Sequence, residues 1–354
     1  MHLGIVGLPK VGKTTLFNTL TASEADTDKF SASRKTNIAV AKVPDPRLAE
    51  LRDLFKPKRY VPATVDYVDV PGISKGESKE NLDLDALRQV DALVHVVRVF
   101  DDPELPHPEG SIDAARDVET LDLELVLADY EVVERRIDRL AKSAKRGLSA
   151  EEKVEEALLK NTILPTLENE QPLRSIELSP DDEKRLRGFQ LLSAKPQLVI
   201  LNVDESAIGK DRDFGVEETE ERRVVVISAP IEAEIALLSE DEQREFLDDL
   251  GLEEPSLDRV LRASYELLGL ISFFTVGEDE VRAWTIRRGT IARKAAGAIH
   301  SDIERGFIRA EVVPWDELLS QGSMAKCRDQ GTLRLEGKEY LVKDGDVTHF
   351  RFNV

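Results

Sequence analysis

Gly7-Leu8-Pro9-Lys10-Val11-Gly12-Lys13-Thr14 decides the fold. The stretch fits G-x-x-x-x-G-K-[ST] without a mismatch. It follows the apolar run His2–Val6, which reads as a buried strand. It opens Lys13–Ala22, where Leu16, Phe17 and Leu20 fall at helical spacing. Glycines at these points let successive backbone N–H groups turn inward around phosphate oxygens, and the helix start adds the positive end of its dipole. Lys13 is expected to neutralise the β- and γ-phosphates, and the Thr14 hydroxyl to ligate Mg²⁺. The candidate nucleotide contacts are therefore Gly7, Leu8, Pro9, Lys10, Val11, Gly12, Lys13, Thr14 and Thr15. A chance glycine-rich turn is the competing reading, and the strand before and helix after argue against it.

Working outward, further apolar runs occur at Ile38–Val43, Thr64–Val70, Ala92–Val97, Gln197–Leu201 and Arg223–Ile227, with helix-like stretches between most of them. That alternation predicts βαβ units and a mostly parallel sheet. Asp69-Val70-Pro71-Gly72 ends one run; Asp69 is placed to hold Mg²⁺ through water, and the Gly72 N–H to approach the γ-phosphate. Ile73 follows, where many GTPases carry a water-orienting Gln. Asn202-Val203-Asp204-Glu205 ends another run, where GTPases carry N-K-x-D, whose Asp pairs with guanine. Asn202, Val203 and Glu205 are candidate base contacts, and the altered clamp weakens the case for GTP. Ser228-Ala229 after the next strand fits a loop that flanks the base.

The rest of the chain bounds the answer. Its 354 residues suggest roughly two to three domains. Lys+Arg 49 against Asp+Glu 69 gives a net charge of −20, which argues against a non-specific nucleic-acid coat. No apolar run approaches the roughly 18 residues of a membrane span. The N-terminus lacks a basic segment followed by an apolar stretch and a cleavage site, so no signal peptide is expected. A lone Cys327 forms no internal disulfide. A cytoplasmic protein without membrane contact, and a monomer, is expected. From about 117 to 190 the chain is charged and strand-poor. Val126, Tyr130, Val133, Ile137 and Leu140 keep 4-3-4-3 spacing, and Ser149 with Glu152 is a capping box. An antiparallel helical hairpin inserted in the α/β domain is predicted, with Lys142, Lys145 and Arg146 at its turn. Two more helices are expected at Glu240–Leu250 and Leu257–Leu268, and a small β-rich domain beyond Ser272 with a turn at Asp344-Gly345.

The ordered set resembles the Obg-like ATPase (YchF) family. It comprises Gly7–Thr14, Val43-Pro44-Asp45-Pro46-Arg47-Leu48, Asp69–Gly72, Asn202–Glu205 and Ser228-Ala229. Glu280–Trp284, Gly306–Glu311 and the blocks Asp344-Gly345-Asp346 and Arg351–Val354 extend it over essentially the whole chain. The resemblance implies an α/β fold: a Ras-like P-loop NTPase domain over 1–271 with an inserted antiparallel coiled-coil arm, and a C-terminal TGS domain of β-grasp type over 272–354. It also implies ATP in preference to GTP, a hydrophobic residue at the Gln position, and association with ribosomes. Three positions depart from it. Lys10 stands where the family has Asn; its ammonium is expected either to replace a monovalent cation or to point outward. The aligned switch I reads Phe30–Asn37, so Ser33, or instead Thr36, is the candidate Mg²⁺ contact. His107-Pro108-Glu109-Gly110 stands where relatives show H-V-E-G. With Ile73 inert, His107 is the candidate to orient or deprotonate the attacking water. The competing reading is an exposed bystander in a mobile loop.

Ribosome contact needs local positive charge in so acidic a chain. Arg282, Arg287, Arg288, Arg293, Lys294, Arg305 and Arg309 face only Asp302 and Glu304. With the hairpin turn this gives two candidate rRNA footprints. Trp284 and Trp315 are read as core residues rather than base-stacking platforms. The leading reading is a slow Mg²⁺-dependent ATPase whose nucleotide state controls ribosome docking. The alternatives are a GTPase of the same fold, or a non-hydrolysing nucleotide-gated adaptor.

Overall fold

The computed structural model describes residues 1–22, 37–70, 83–210 and 212–353. In chain order β1 (His2–Val6), α1 (Lys13–Ala22), β2 (Asn37–Lys42), α2 (Pro46–Phe55), β3 (Arg59–Val61) and β4 (Thr64–Asp69) come first. Next are α3 (Leu84–Gln89), β5 (Ala92–Arg98), α4 (Ala114–Ala144), α5 (Ala150–Leu158), α6 (Leu164–Glu168) and α7 (Pro180–Leu186). There follow β6 (Gln197–Asn202), β7 (Arg222–Ile227), α8 (Ala229–Ile235), α9 (Glu240–Leu250) and α10 (Ser256–Leu267). The chain ends with β8 (Leu270–Thr275), β9 (Glu280–Arg287), α11 (Ala292–Ile299), α12 (Ser301–Arg305), β10 (Phe307–Pro314), α13 (Trp315–Gln321), α14 (Met324–Asp329), β11 (Arg334–Glu336) and β12 (Asp346–Phe352).

There are two compact units: Met1–Ala39 with Asp66–Val260, and Val40–Val65 with Leu261–Val354. This differs from the expected boundary between 271 and 272. The second unit takes in Val40–Val65 because β3 zips in parallel onto β9, Arg59 opposite Glu280, and adds an edge strand to its sheet.

In the first unit β1 lies between β4 and β5, and β6 and β7 continue the sheet; all these pairings are parallel. Sheet order is β2-β4-β1-β5-β6-β7. Strands β5 and β6 are buried along their whole length, so they read as mainly apolar runs, with His95 the one polar residue inside β5. This is the Ras-like α/β arrangement, with the phosphate loop leaving the carboxyl end of β1. Helix α4 begins at Ala114, capped by Asp113, and runs 31 residues into the arm. The seam residues Val126, Val133 and Leu140 are buried against Leu159, Ile163 and Leu167. The capping box forms: Ser149 Oγ accepts from Glu152 N at 3.2 Å, and Glu152 accepts from Ser149 N at 2.8 Å. The returning side of the arm is not one helix. A π-helical turn at Leu159–Ile163 separates α5 from α6, where Pro165 brings no N–H to continue the ladder.

In the second unit the sheet order is β11-β10-β12-β8-β9-β3, with β12 parallel to β8 and antiparallel to β10. Helix α11 packs over Ile271, Phe273, Ile286, Ala310, Val312 and Phe350, giving a β-grasp core. Trp284 belongs to it. Its ring stacks on Phe273 at 6.5 Å, and its N–H donates to Thr275 Oγ1 at 2.9 Å. Gly345 (φ 85°) turns the chain into β12 against Trp315, whose Cδ1 would lie 2.7 Å from any Cβ there.

Candidate nucleotide site

The phosphate loop is built by three residues in the left-handed region: Gly7 (φ 148°), Lys10 (φ 63°) and Gly12 (φ 101°). Such alternation turns neighbouring N–H groups to one side and makes an anion nest. Both glycines are also sterically required. A Cβ on Gly7 would sit 2.3 Å from the Val96 carbonyl oxygen, and one on Gly12 would sit 2.4 Å from Asn202 Nδ2. Leu8 and Val11 are buried and anchor the loop from below, so they contribute backbone only. Lys10 is exposed.

Lys13 Nζ donates to the carbonyls of Gly7 at 2.9 Å and Leu8 at 2.7 Å, which holds the ammonium across the loop. Burial lowers its pKa to about 8, and the nearby Asp69 carboxylate partly opposes that shift. The same burial raises the Asp69 pKa, against the attraction of Lys13. Thr14 and Thr15 are at the start of α1, and Asp69 is the last residue of β4. A hydroxyl and a carboxylate are hard oxygen donors, and Asp69 supplies the negative charge Mg²⁺ requires. The residues therefore fit that ion. Ser33, Thr36, Gly72 and Ile73 lie outside the described residues.

Asn202, a candidate base contact, uses both ends of its amide within the chain. Its Nδ2 donates to the Val11 carbonyl at 3.0 Å, and its Oδ1 accepts from Ala229 N at 2.9 Å. One buried amide thus pins the phosphate loop to the Ser228-Ala229 loop. Val203 is buried, its N–H bonded to Ile227 O at 2.8 Å. Of the altered clamp, Glu205 is exposed.

His107 is buried where the competing reading expected exposure: its side chain is 3% exposed. Nε2 lies 3.1 Å from Asp117 Oδ2, and Nδ1 accepts from Glu109 N at 3.2 Å. The loop around it is shaped by Arg98, 1% exposed, which donates to the carbonyls of Phe100 (3.1 Å) and Leu105 (2.7 Å). The parts Arg98 and Asp117 play around His107 were not legible: one directly follows the apolar run Ala92–Val97, the other is one acid among many, and neither lies in a motif.

Residues 2–146 match the family described as 50S ribosome-binding GTPase, and residues 270–353 match the YchF-GTPase C-terminal family, described as a protein of unknown function. The chain is 45% identical to the ribosome-binding ATPase YchF of Bacillus subtilis (strain 168), and 42% identical to that of Escherichia coli O157:H7. Each alignment covers 99% of both chains. The structure of the Schizosaccharomyces pombe YchF GTPase superposes with a TM-score of 0.89 at 33% identity, covering 99% of this chain and 97% of that one.

Proposed function

The chain belongs to the YchF family, and from that premise we propose that it is a cytoplasmic ATPase whose nucleotide state controls its association with ribosomes. One observation carries the nucleotide part: the loop nest, Lys13 and the Asn202 tether converge on a single site. The B. subtilis and E. coli relatives carry the ribosome-binding and ATPase names, and similarity over the full length supports extending both here.

Binding follows from the loop. Inward N–H groups and the Lys13 ammonium receive the β- and γ-phosphates, and Lys13 exchanges two carbonyl partners for phosphate oxygens. Bound Mg²⁺ would supply further charge neutralisation there; Thr14 and Asp69 are the residues to hold it, and Ser33 is the sequence candidate for a third. Glu205 replaces the guanine-pairing Asp, which favours adenine and leaves GTP the weaker ligand. Water attacks the γ-phosphorus in line with the leaving oxygen. With Ile73 unable to hydrogen-bond, His107 orients that water. Asp117 facing Nε2 favours the tautomer protonated there. Nδ1 then carries the lone pair, and it accepts from the water by giving up its 3.2 Å bond from Glu109 N.

Competition of ATP against GTP for the Mg²⁺-loaded protein, with Lys13→Ala as control, tests the reading. Selective ATP binding lost in the variant supports it, as does ATP-dependent cosedimentation with 70S ribosomes. Binding of neither purine triphosphate defeats it.

A further inference from the structure

Strand β12 outruns its neighbour β8. Their one paired position is Val347 opposite Phe274, and β8 ends at Thr275, whereas β12 continues to Phe352. On its other side β12 stays paired with β10 as far as Phe352 opposite Phe307. Among the described residues no strand covers the β8 side of His349–Phe352, which is about 13 Å of edge at the usual strand rise. Backbone N–H and C=O groups alternate in direction along a strand, so every second residue there offers both to an incoming chain.

The same edge borders a cavity of about 350 Å³. On the face covered by α11 and α12 its wall is Ile299, Ile303, Phe350 and Phe352, and Phe352 is exposed. Thr348 lines the cavity on that face. It is 3% exposed, and its hydroxyl has no hydrogen-bond partner. Successive side chains of a strand point to opposite faces, so His349 and Arg351 belong to the other one. There the cavity is lined by His349, Met324 and the buried Glu311, which is opposite His349 on β10. Arg328 and Arg351 both donate to the same Glu311 oxygen, Oε1, while remaining more than half exposed. Arg309 is the cross-strand neighbour of Arg351. Around Glu311 there are thus three guanidinium groups to one carboxylate.

We propose that the open edge of β12 is a docking site for an extended peptide of a partner protein in which apolar and acidic residues alternate. Hydrogen bonds to the backbone of His349–Phe352 add the peptide to the sheet as a further strand. One apolar side chain fills the cavity between Ile303 and Phe352, and a polar atom of the added chain gives the Thr348 hydroxyl the partner it lacks. The next residue points to the opposite face, where its carboxylate meets Arg328 and Arg351. Strand geometry selects the alternation, and the surplus of guanidinium groups selects the acid. The site lies wholly within the second unit and needs neither nucleotide nor ribosome.

The test uses the full-length protein and fluorescein-labelled hexapeptides of alternating leucine and glutamate, with binding followed by anisotropy. The leucine–glutamate peptide is expected to bind, and its leucine–lysine counterpart to bind about tenfold more weakly or worse. Methylating every peptide amide nitrogen keeps the side chains but removes the donors of both edges, so it should abolish binding. F352A and R328Q/R351Q should each weaken the leucine–glutamate peptide about tenfold. T348V keeps the shape and loses the hydroxyl. It should bind the peptide several-fold more weakly, yet unfold at no lower temperature than wild type, because the group it removes has no partner in the free protein. The peptide comparisons on wild-type protein and the exposed F352A keep the test decisive if R328Q/R351Q folds poorly. The docking site is refuted if the leucine–glutamate peptide does not bind, if the lysine peptide binds equally, if the N-methylated peptide binds like its parent, or if F352A has no effect. Sedimentation equilibrium showing a dimer that F352A dissociates would also refute it, since the edge would then belong to a second copy of the chain.

Discussion

Arg47 and Asp344, 297 residues apart in sequence, are joined by two hydrogen bonds of 2.8 and 3.3 Å. Arg47 also chelates Asp45, the residue that caps α2, through bonds of 2.9 and 2.8 Å, and its guanidinium lies 5.4 Å from the Phe274 ring centre. Asp344 in turn accepts from Ser272 N at 2.9 Å. One planar cation thus fixes a helix start, a strand and the turn into β12.

Arg47→Ala should therefore destabilise the second unit by about 1–3 kcal/mol, because it leaves the largely buried Asp45 carboxylate without its partner and releases the more exposed Asp344. Arg47→Lys should recover little of that loss, since an ammonium cannot present the planar fork that meets both carboxylates. Thermal unfolding of the two variants against wild type measures this. A lysine variant as stable as wild type would show that charge alone suffices.

These residues also mark how far the sequence carries. Val43–Leu48 and Asp344-Gly345-Asp346 stand out as blocks, but nothing in one sequence says that they touch. Pairing across 297 positions leaves no periodic trace. The phosphate loop was legible because its chemistry is local: two glycines, a lysine and a threonine within eight residues, between a strand and a helix. The arm seam was legible for the same reason, since Val126, Val133 and Leu140 repeat along one helix. Asn202 was visible as a base-loop residue, yet its tether to Val11 depends on two loops meeting at the carboxyl ends of β1 and β6. The burial of His107 depends on Arg98 and on Asp117 ten residues away, and composition had favoured an exposed loop.

His107→Ala should slow single-turnover hydrolysis by roughly 100-fold, the usual worth of a positioned proton acceptor, while ATP affinity holds. Asp117→Asn keeps the shape and removes the charge facing Nε2, so it should cost part of that rate. Quenched-flow measurement of the γ-phosphate released from bound ATP separates the two. A full rate in His107→Ala would leave the ring as a loop anchor only.

His95 gives a stability prediction with a defined pH window. It is fully buried on β5, and its pKa is pressed down to about 3 by that burial and then by Arg174, Arg222 and Lys13. Asp122 pairs with both of those arginines, so no carboxylate is left to welcome an imidazolium. The unfolded chain takes up a proton near pH 6.5 and the folded chain does not until about pH 3. Stability from this group is thus complete above pH 6.5 and drains away as pH falls through the window. Between pH 7 and 5 the cost is about 2 kcal/mol. His95→Gln should flatten that part of the curve. Urea midpoints at the two pH values are the measurement, and equal pH sensitivity in both proteins would remove His95 from the account.

Lys10 carries a prediction about salt. Its backbone sits at φ 63°, a conformation that Asn adopts more readily than Lys, and its side chain is exposed beside the loop nest. The family resemblance places Asn here, as a ligand for a monovalent cation in related potassium-stimulated enzymes. A tethered ammonium brings the same unit charge and needs no ion from solution. Turnover should accordingly be equal in sodium and potassium salts, and Lys10→Asn should become potassium-stimulated. Parallel steady-state rates in the two chlorides at one ionic strength decide it. Strong potassium activation of the wild-type protein would mean that Lys10 points away from the phosphates and leaves the cation its place.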